Sequence, residues 1–203
     1  MKPSYRFYRF GYRLCRILLG IVYRLNVIGR ENIPAGATLL CVNHSSWLDS
    51  IFVAFALGID FHVRIIAKQE LFKIPVFSTI IRKLGAISVK RGATDVVFLK
   101  SVMTCLKGGS KVVIFPEGTR ITEDDTDAAK NGAIRIAERA AVPLVPVFIP
   151  RKKPLFHKMN LVIGKPLYIE KTDGKRTKEE YRKLSKKLMD DIYTLSLDAG
   201  QKV

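Results

Sequence analysis

The chain has 203 residues, 48% hydrophobic and 26% charged, enough for one sizeable core and too apolar for intrinsic disorder or a collagen-like repeat. Thirty-five Lys and Arg against 18 Asp and Glu leave a formal charge of +17, so its natural partners are polyanions: nucleic acid, an anionic membrane face or phosphorylated small molecules. Cys15, Cys41 and Cys105 are widely spaced and form no Cys-x-x-Cys pair, which supports neither a disulfide framework nor a cysteine zinc site and suits a reducing, cytosol-facing location.

The first thirty residues carry Lys2, Arg6, Arg9, Arg13, Arg16, Arg24 and Arg30 and no acid. Arg6, Arg9, Arg13 and Arg16 follow one another at spacings of three, four and three, which puts them along one helical face, with Tyr, Phe, Leu and Ile between them. This pattern predicts a helix lying in a membrane interface, arginines toward anionic phosphates and tyrosines at headgroup level. A helix packed on the domain ranks second, because packing does not account for thirty residues without an acid, and a nucleic-acid arm ranks third. The apolar runs Ile17–Tyr23, Ser50–Ile59 and Val142–Pro150 are all far short of the roughly 18 residues a membrane span needs, and no small-residue cleavage site marks a signal peptide.

From there the pattern alternates. Strand-like runs are Thr38–Val42, His62–Ala67, Ala86–Val89, Lys111–Phe115, Leu144–Ile149 and Leu161–Ile163. Helix-like stretches are Trp47–Leu57, Val76–Lys83, Thr94–Leu106, Asp127–Ala140 and a basic amphipathic Thr177–Leu197. Strands separated by helices predict an α/β fold with a largely parallel central sheet flanked by helices, and the continuous apolar runs Lys111–Phe115 and Leu144–Ile149 predict central strands. The organisation expected is a membrane-associating segment over residues 1–30 and an α/β domain over 31–203.

Ligands of open α/β sheets sit beyond the carboxyl ends of the strands. After Thr38–Val42 comes Asn43-His44-Ser45-Ser46-Trp47-Leu48-Asp49. With Ser45 or Ser46 as helix N-cap, His44 stays in the loop and Asp49 enters the first turns, so the break in the chain lets the two side chains meet. Asp49 then accepts from one imidazole nitrogen and leaves the other free to take a proton. After Lys111–Phe115 comes Pro116-Glu117-Gly118-Thr119-Arg120, offering a tight turn, a hydroxyl and a planar donor fork suited to phosphate. Lys68 and Arg91 also lie at or beyond strand ends, so the residues predict a base acting beside a bound phosphate.

In order, Asn43-His44-x-Ser46-x-x-Asp49, Lys68-x-Glu70-Leu71-x-x-x-Pro75, Gly85-x-Ile87-x-Val89-x-Arg91, Phe115-Pro116-Glu117-Gly118-Thr119-Arg120 and Val145-Pro146-Val147 resemble the motifs of the glycerolipid acyltransferases over residues 25 to 170. Any one of these motifs is weak, and five in order are specific. The resemblance implies transfer of a fatty acyl chain from acyl-CoA or acyl-carrier protein to the free sn-2 hydroxyl of 1-acyl-glycerol-3-phosphate, with another lysophospholipid or glycerophosphate acceptor as the alternative. A non-enzymatic basic protein that binds membranes or nucleic acid is a distant third, because it gives no reason for five ordered motifs. It implies His44 as general base, Asp49 holding and polarising it, Lys68, Arg91 and Arg120 facing the acceptor phosphate, and Glu117, Gly118 and Thr119 shaping that pocket. Neither a metal nor another cofactor is expected, because the thioester is already activated. An anionic membrane surface on the cytoplasmic side is the expected partner, and nucleic acid is not.

Two departures and one further expectation accompany the resemblance. The N-terminal region is short and broken by arginines where relatives carry a hydrophobic anchor, which implies surface attachment or shallow insertion. Glu123, Asp124, Asp125 and Asp127 make the segment after Arg120 acidic, and a solvated loop is the expectation. The apolar stretch Leu71, Phe72, Ile74, Val76, Phe77, Ile80 and Ile81 is expected to border an acyl groove or dip into the membrane, with core packing an equal alternative.

Overall fold

The computed structural model describes residues 4–61, 63–90, 96–170, 172 and 174–200. A seven-stranded sheet organises them: β1 (Arg24–Ile28), β2 (Thr38–Val42), β3 (Arg64–Lys68), β4 (Ile87–Val89), β5 (Lys111–Ile114), β6 (Leu144–Phe148) and β7 (Lys158–Ile163), in the order β1-β7-β6-β2-β5-β3-β4. Every neighbouring pair is parallel except β6 with β7. The largely parallel sheet is therefore as the sequence predicts, and the strands over 111–114 and 144–148 flank β2 at its centre.

The helices are α1 (Tyr5–Val22), α2 (Asp49–Leu57), α3 (Phe77–Lys83), α4 (Val96–Lys107), α5 (Gly132–Ala140) and α6 (Lys178–Asp198). Side chains of a strand alternate between faces. Leu39 and Cys41 of β2 thus join a core with α4, α5 and α6, while Leu40 and Val42 join a second core with α2 and the inner side of α1. The result is three layers, and α6 starts at a capping box in which Thr177 and Glu180 satisfy each other's backbone N–H.

Three differences from the sequence reading have physical reasons. Arg24–Ile28, grouped by its charge with the N-terminal segment, is an edge strand parallel to β7, with Asn26 Nδ2 donating to Asn160 Oδ1 at 3.0 Å. Helix α5 starts at Gly132 rather than Asp127, because the Lys130 N–H donates to the Pro116 carbonyl at 2.9 Å and the preceding residues turn back toward the sheet. The acidic loop is exposed but not idle: Asp124 pairs with Arg151, Asp127 pairs with Lys186 at 3.2 Å, and Asp125 accepts from the Asp127 and Ala128 N–H groups. His62, Thr94 and Asp95, at the starts of the second predicted strand and third predicted helix, lie outside the described residues, as does Arg91.

Helix α1 has three faces. Tyr8, Tyr12, Cys15 and Leu19 turn inward, Tyr8 buried and the others packed against the second core. The arginines occupy a second face. A third carries Phe10, Leu14, Ile17, Leu18 and Ile21, with Ile17 and Ile21 64% and 69% exposed. The inner side of the helix is packed on the domain, as the second-ranked reading of the sequence has it, while its outer apolar residues are left exposed. None of the helices among the described residues is long and apolar enough to cross a membrane.

Candidate active site

The loops after β2, β5 and β6 meet at the carboxyl edge of the sheet. Asn43 is fully buried and clamps β2 to the end of β6, its Nδ2 donating to the Ile149 carbonyl at 2.9 Å and its Oδ1 accepting from the Ile149 N–H at 2.8 Å. His44 is fixed next. Its ring stacks on Phe115 with centroids 3.9 Å apart, its N–H donates to Glu117 Oε2 at 2.7 Å, and its carbonyl accepts from the Ile121 N–H.

His44 Nδ1 lies 3.0 Å from Asp49 Oδ2, so the sequence-predicted pair meets. The serines act differently from the N-cap expected of them. Helix α2 begins at Asp49 with Leu48 as N-cap, and the Ser45 and Ser46 N–H groups both donate to Asp49 Oδ2 at 2.7 Å. The carboxylate thus draws the loop back around itself. Burial works to raise its pKa, but hydrogen bonds from His44, Lys153 and the Ser46 backbone together hold the carboxyl below its ordinary range. An ionised Asp49 only accepts, so Nδ1 of the imidazole is the donor of the pair.

Glu117 is not among the residues that line the cavity in front of His44. It is 1% exposed and turned inward, where Oε2 anchors the His44 backbone and Oε1 accepts from the Tyr193 hydroxyl at 2.9 Å, with Arg151 at 3.6 Å. Burial pushes its pKa up to about 7 against the lowering influence of Tyr193, the His44 N–H and Arg151. Arg151 is tied off by Asp124 and by the Ile121 carbonyl.

A cavity of about 460 Å³ opens in front of His44, in the range of small-molecule sites. Lys68, Gly118, Arg120 and Lys130 line it, as do Trp47 and Lys90, and Ile65, Ile66, Leu71, Val89, Phe98 and Ile114 give it an apolar wall. Gly118 has φ +70°, and a Cβ there would meet the Lys130 side chain at 2.8 Å, so only glycine lets that cation come close. The Arg120 guanidinium lies 4.4 Å over the Trp47 ring. Thr119 is exposed and does not line the cavity. Of the apolar stretch from Leu71 to Ile81, Leu71 alone does: Ile74, Val76, Phe77 and Ile80 are exposed and Ile81 is buried.

The model of the family described as Acyltransferase matches residues 24–150. The chain belongs to the acyltransferase family. It is similar to the 1-acyl-sn-glycerol-3-phosphate acyltransferase of Bacillus subtilis, 33% identical over 168 residues covering 79% of this chain and 82% of the relative. The Pseudomonas aeruginosa protein of the same name is 30% identical, covering 68% of this chain and 53% of the relative. The crystal structure of the 1-acyl-sn-glycerophosphate acyltransferase PlsC from Thermotoga maritima superposes with a TM-score of 0.68 at 26% identity, covering 98% of this chain and 81% of that one. In this acyltransferase, sequence reasoning missed Arg151, Lys153 and Tyr193. The first two lie in the loop after β6, a strand end that the same rule singles out; Tyr193 arrives from α6 and leaves no local signal.

Proposed function

We propose that this acyltransferase moves a fatty acyl chain from an acyl thioester to the free sn-2 hydroxyl of 1-acyl-glycerol-3-phosphate, giving phosphatidic acid. The observation that carries the reading is a His44–Asp49 couple at a cavity lined by both cations and apolar side chains. His44 Nε2 takes the proton of the acceptor hydroxyl as that oxygen attacks the thioester carbonyl. The tetrahedral intermediate collapses, the C–S bond breaks, and the imidazolium returns the proton to the departing thiolate. Arg120 offers a two-pronged donor to the acceptor phosphate, Lys68 and Lys130 add point charges, and Arg91, beyond the described residues, belongs to the same expected set. The chain's excess positive charge suits either acidic donor, acyl-CoA or acyl-carrier protein.

The test is acyl transfer to lysophosphatidic acid in vesicles, with each donor supplied separately; phosphatidic acid from neither donor contradicts the reading. Arg120→Ala is expected to raise KM for lysophosphatidic acid roughly 10- to 100-fold, the worth of a charge-assisted hydrogen bond, with kcat little changed. An unchanged KM removes Arg120 from phosphate recognition.

The 1–30 segment is proposed to attach the enzyme to the cytoplasmic membrane surface through the outer face of α1, its arginines on lipid phosphates. Helix α3 is tied to the N-terminal end of α1, the Ser4 N–H donating to the Lys83 carbonyl at 3.0 Å, and adds exposed Phe77 and Ile80. Each apolar side chain buried in lipid contributes about 1.5–3 kcal/mol. The pair Ile17→Asp and Ile21→Asp is therefore expected to weaken binding to anionic vesicles by roughly 100-fold or more in a sedimentation assay, with folding unaffected; full retention on vesicles contradicts the assignment.

A further inference from the structure

Lys153 stands three residues beyond the end of the family match, in the loop after β6, and none of the five motifs includes it. It is nonetheless among the most enclosed charges of the site, its side chain 6% exposed. Its Nζ lies 2.8 Å from Asp49 Oδ1, donates to Ser45 Oγ at 3.0 Å and to the Pro150 carbonyl at 2.9 Å, and passes 3.3 Å from the Arg151 carbonyl. An ammonium has three protons. Ser45 Oγ and the Pro150 and Arg151 carbonyls take all three, and Asp49 Oδ1 faces the ammonium as an ion pair; Ser45 and Asp49 both follow His44 within five residues. Asp49 therefore stands between two nitrogens, Oδ2 toward His44 and Oδ1 toward Lys153.

We propose that Lys153 is a positioning residue of the acyltransferase site, offsetting the Asp49 charge from the side opposite His44 so that the imidazole rests neutral and ready to take the acceptor's proton. The inference rests on His44 as the base. A buried carboxylate with no cation behind it stabilises the imidazolium, which is useless as a base; a carboxylate already paired orients the ring and keeps its Nδ1 proton without trapping a second one. The other charged groups facing this cluster come from the loop after β5 and from α6. Glu117 grips the His44 backbone with Arg151 and Tyr193 on its far oxygen, and Lys68, Lys90, Arg120 and Lys130 line the cavity that His44 also lines. Of these groups Lys153 touches Arg151, at its carbonyl, and all of them are common to every variant compared below.

The experiment is the pH dependence of kcat/KM for lysophosphatidic acid in the wild type, Lys153→Met, Lys153→Arg and His44→Ala. Lys153→Met is expected to move the limb that rises with pH upward by about one unit, a roughly tenfold loss below the limb, with rates converging toward the wild type above it. Lys153→Arg keeps the charge but not the three-way fan of donors, so its limb stays in place even where its rate is lower. A profile lowered uniformly without moving overturns the proposal and leaves Lys153 a scaffold residue. Activity surviving in His44→Ala overturns the base itself, which distinguishes the two failures. Should Lys153→Met not fold, Asp49→Asn with Lys153→Met removes both charges of the pair and is compared with Asp49→Asn alone. Equal or better activity in the double variant means that Lys153 acts through Asp49, and a further loss means that it does not.

Discussion

His44→Ala lowers acyl transfer by roughly 100- to 10,000-fold, the span that a positioned general base contributes. The ring's other attachments predict what survives. Stacking on Phe115 contributes about 0.5–1.5 kcal/mol, so the variant folds with a slightly lower melting temperature, and binding of lysophosphatidic acid is retained because the cations of the cavity are untouched. Turnover by His44→Ala within tenfold of the wild type, measured as phosphatidic acid formed per minute, is incompatible with His44 as the base. Asp49 is a harder position to interpret, because its carboxylate serves His44, Lys153 and two backbone N–H groups at once, and replacing it disturbs the loop as well as the base.

Glu117→Ala is expected to cost about 2–5 kcal/mol of stability in urea unfolding, because it leaves the His44 N–H and the Tyr193 hydroxyl without their acceptor in a buried space, at about 1–3 kcal/mol each, while Arg151 keeps Asp124. Activity falls with it, since Glu117 fixes the backbone from which His44 projects. Glu117→Gln separates charge from shape: its carbonyl still accepts from His44 and its amide donates to Tyr193. The pH dependence has a definite sign. Glu117 rises from an ordinary value of 4.5 to about 7, so the folded state holds its proton more tightly than the unfolded chain does. Its contribution is fully present below about pH 4.5 and is lost as pH rises through about 7. The stability of the wild type relative to Glu117→Gln therefore declines from pH 4.5 to 7 and levels off above. A difference that grows with pH over that window means Glu117 is held as a carboxylate.

The central sheet was legible because buried parallel strands are written as continuous apolar runs: β2, β5 and β6 bury every residue but Ile114. Strand β1 was not, since Arg24 and Asn26 suit a half-solvated edge and its basic character merges with the helix before it. The same contrast divides the site. His44 and Asp49 are five residues apart, and the break between a strand and a helix is enough to bring them together. Glu117 sits in a motif of phosphate-friendly residues, and its inward turn depends on Tyr193, 76 residues downstream. Arg151-Lys152-Lys153 has the composition of a solvated surface run, and only the convergence of the loops after β2, β5 and β6 encloses Arg151 and Lys153. Charge type was therefore readable and charge placement was not.

The acceptor phosphate is the centre of the account, and one comparison tests it most directly. Wild-type enzyme is given a single acyl-CoA and, in separate vesicles, lysophosphatidic acid or the monoacylglycerol that differs from it only in lacking the phosphate. Acylation of lysophosphatidic acid at least 100-fold faster than of the neutral lipid is the result expected of a cavity lined by Lys68, Arg120 and Lys130. Comparable rates on the two acceptors would mean that these cations do not select the substrate, and the assignment to phosphatidic acid synthesis would fall.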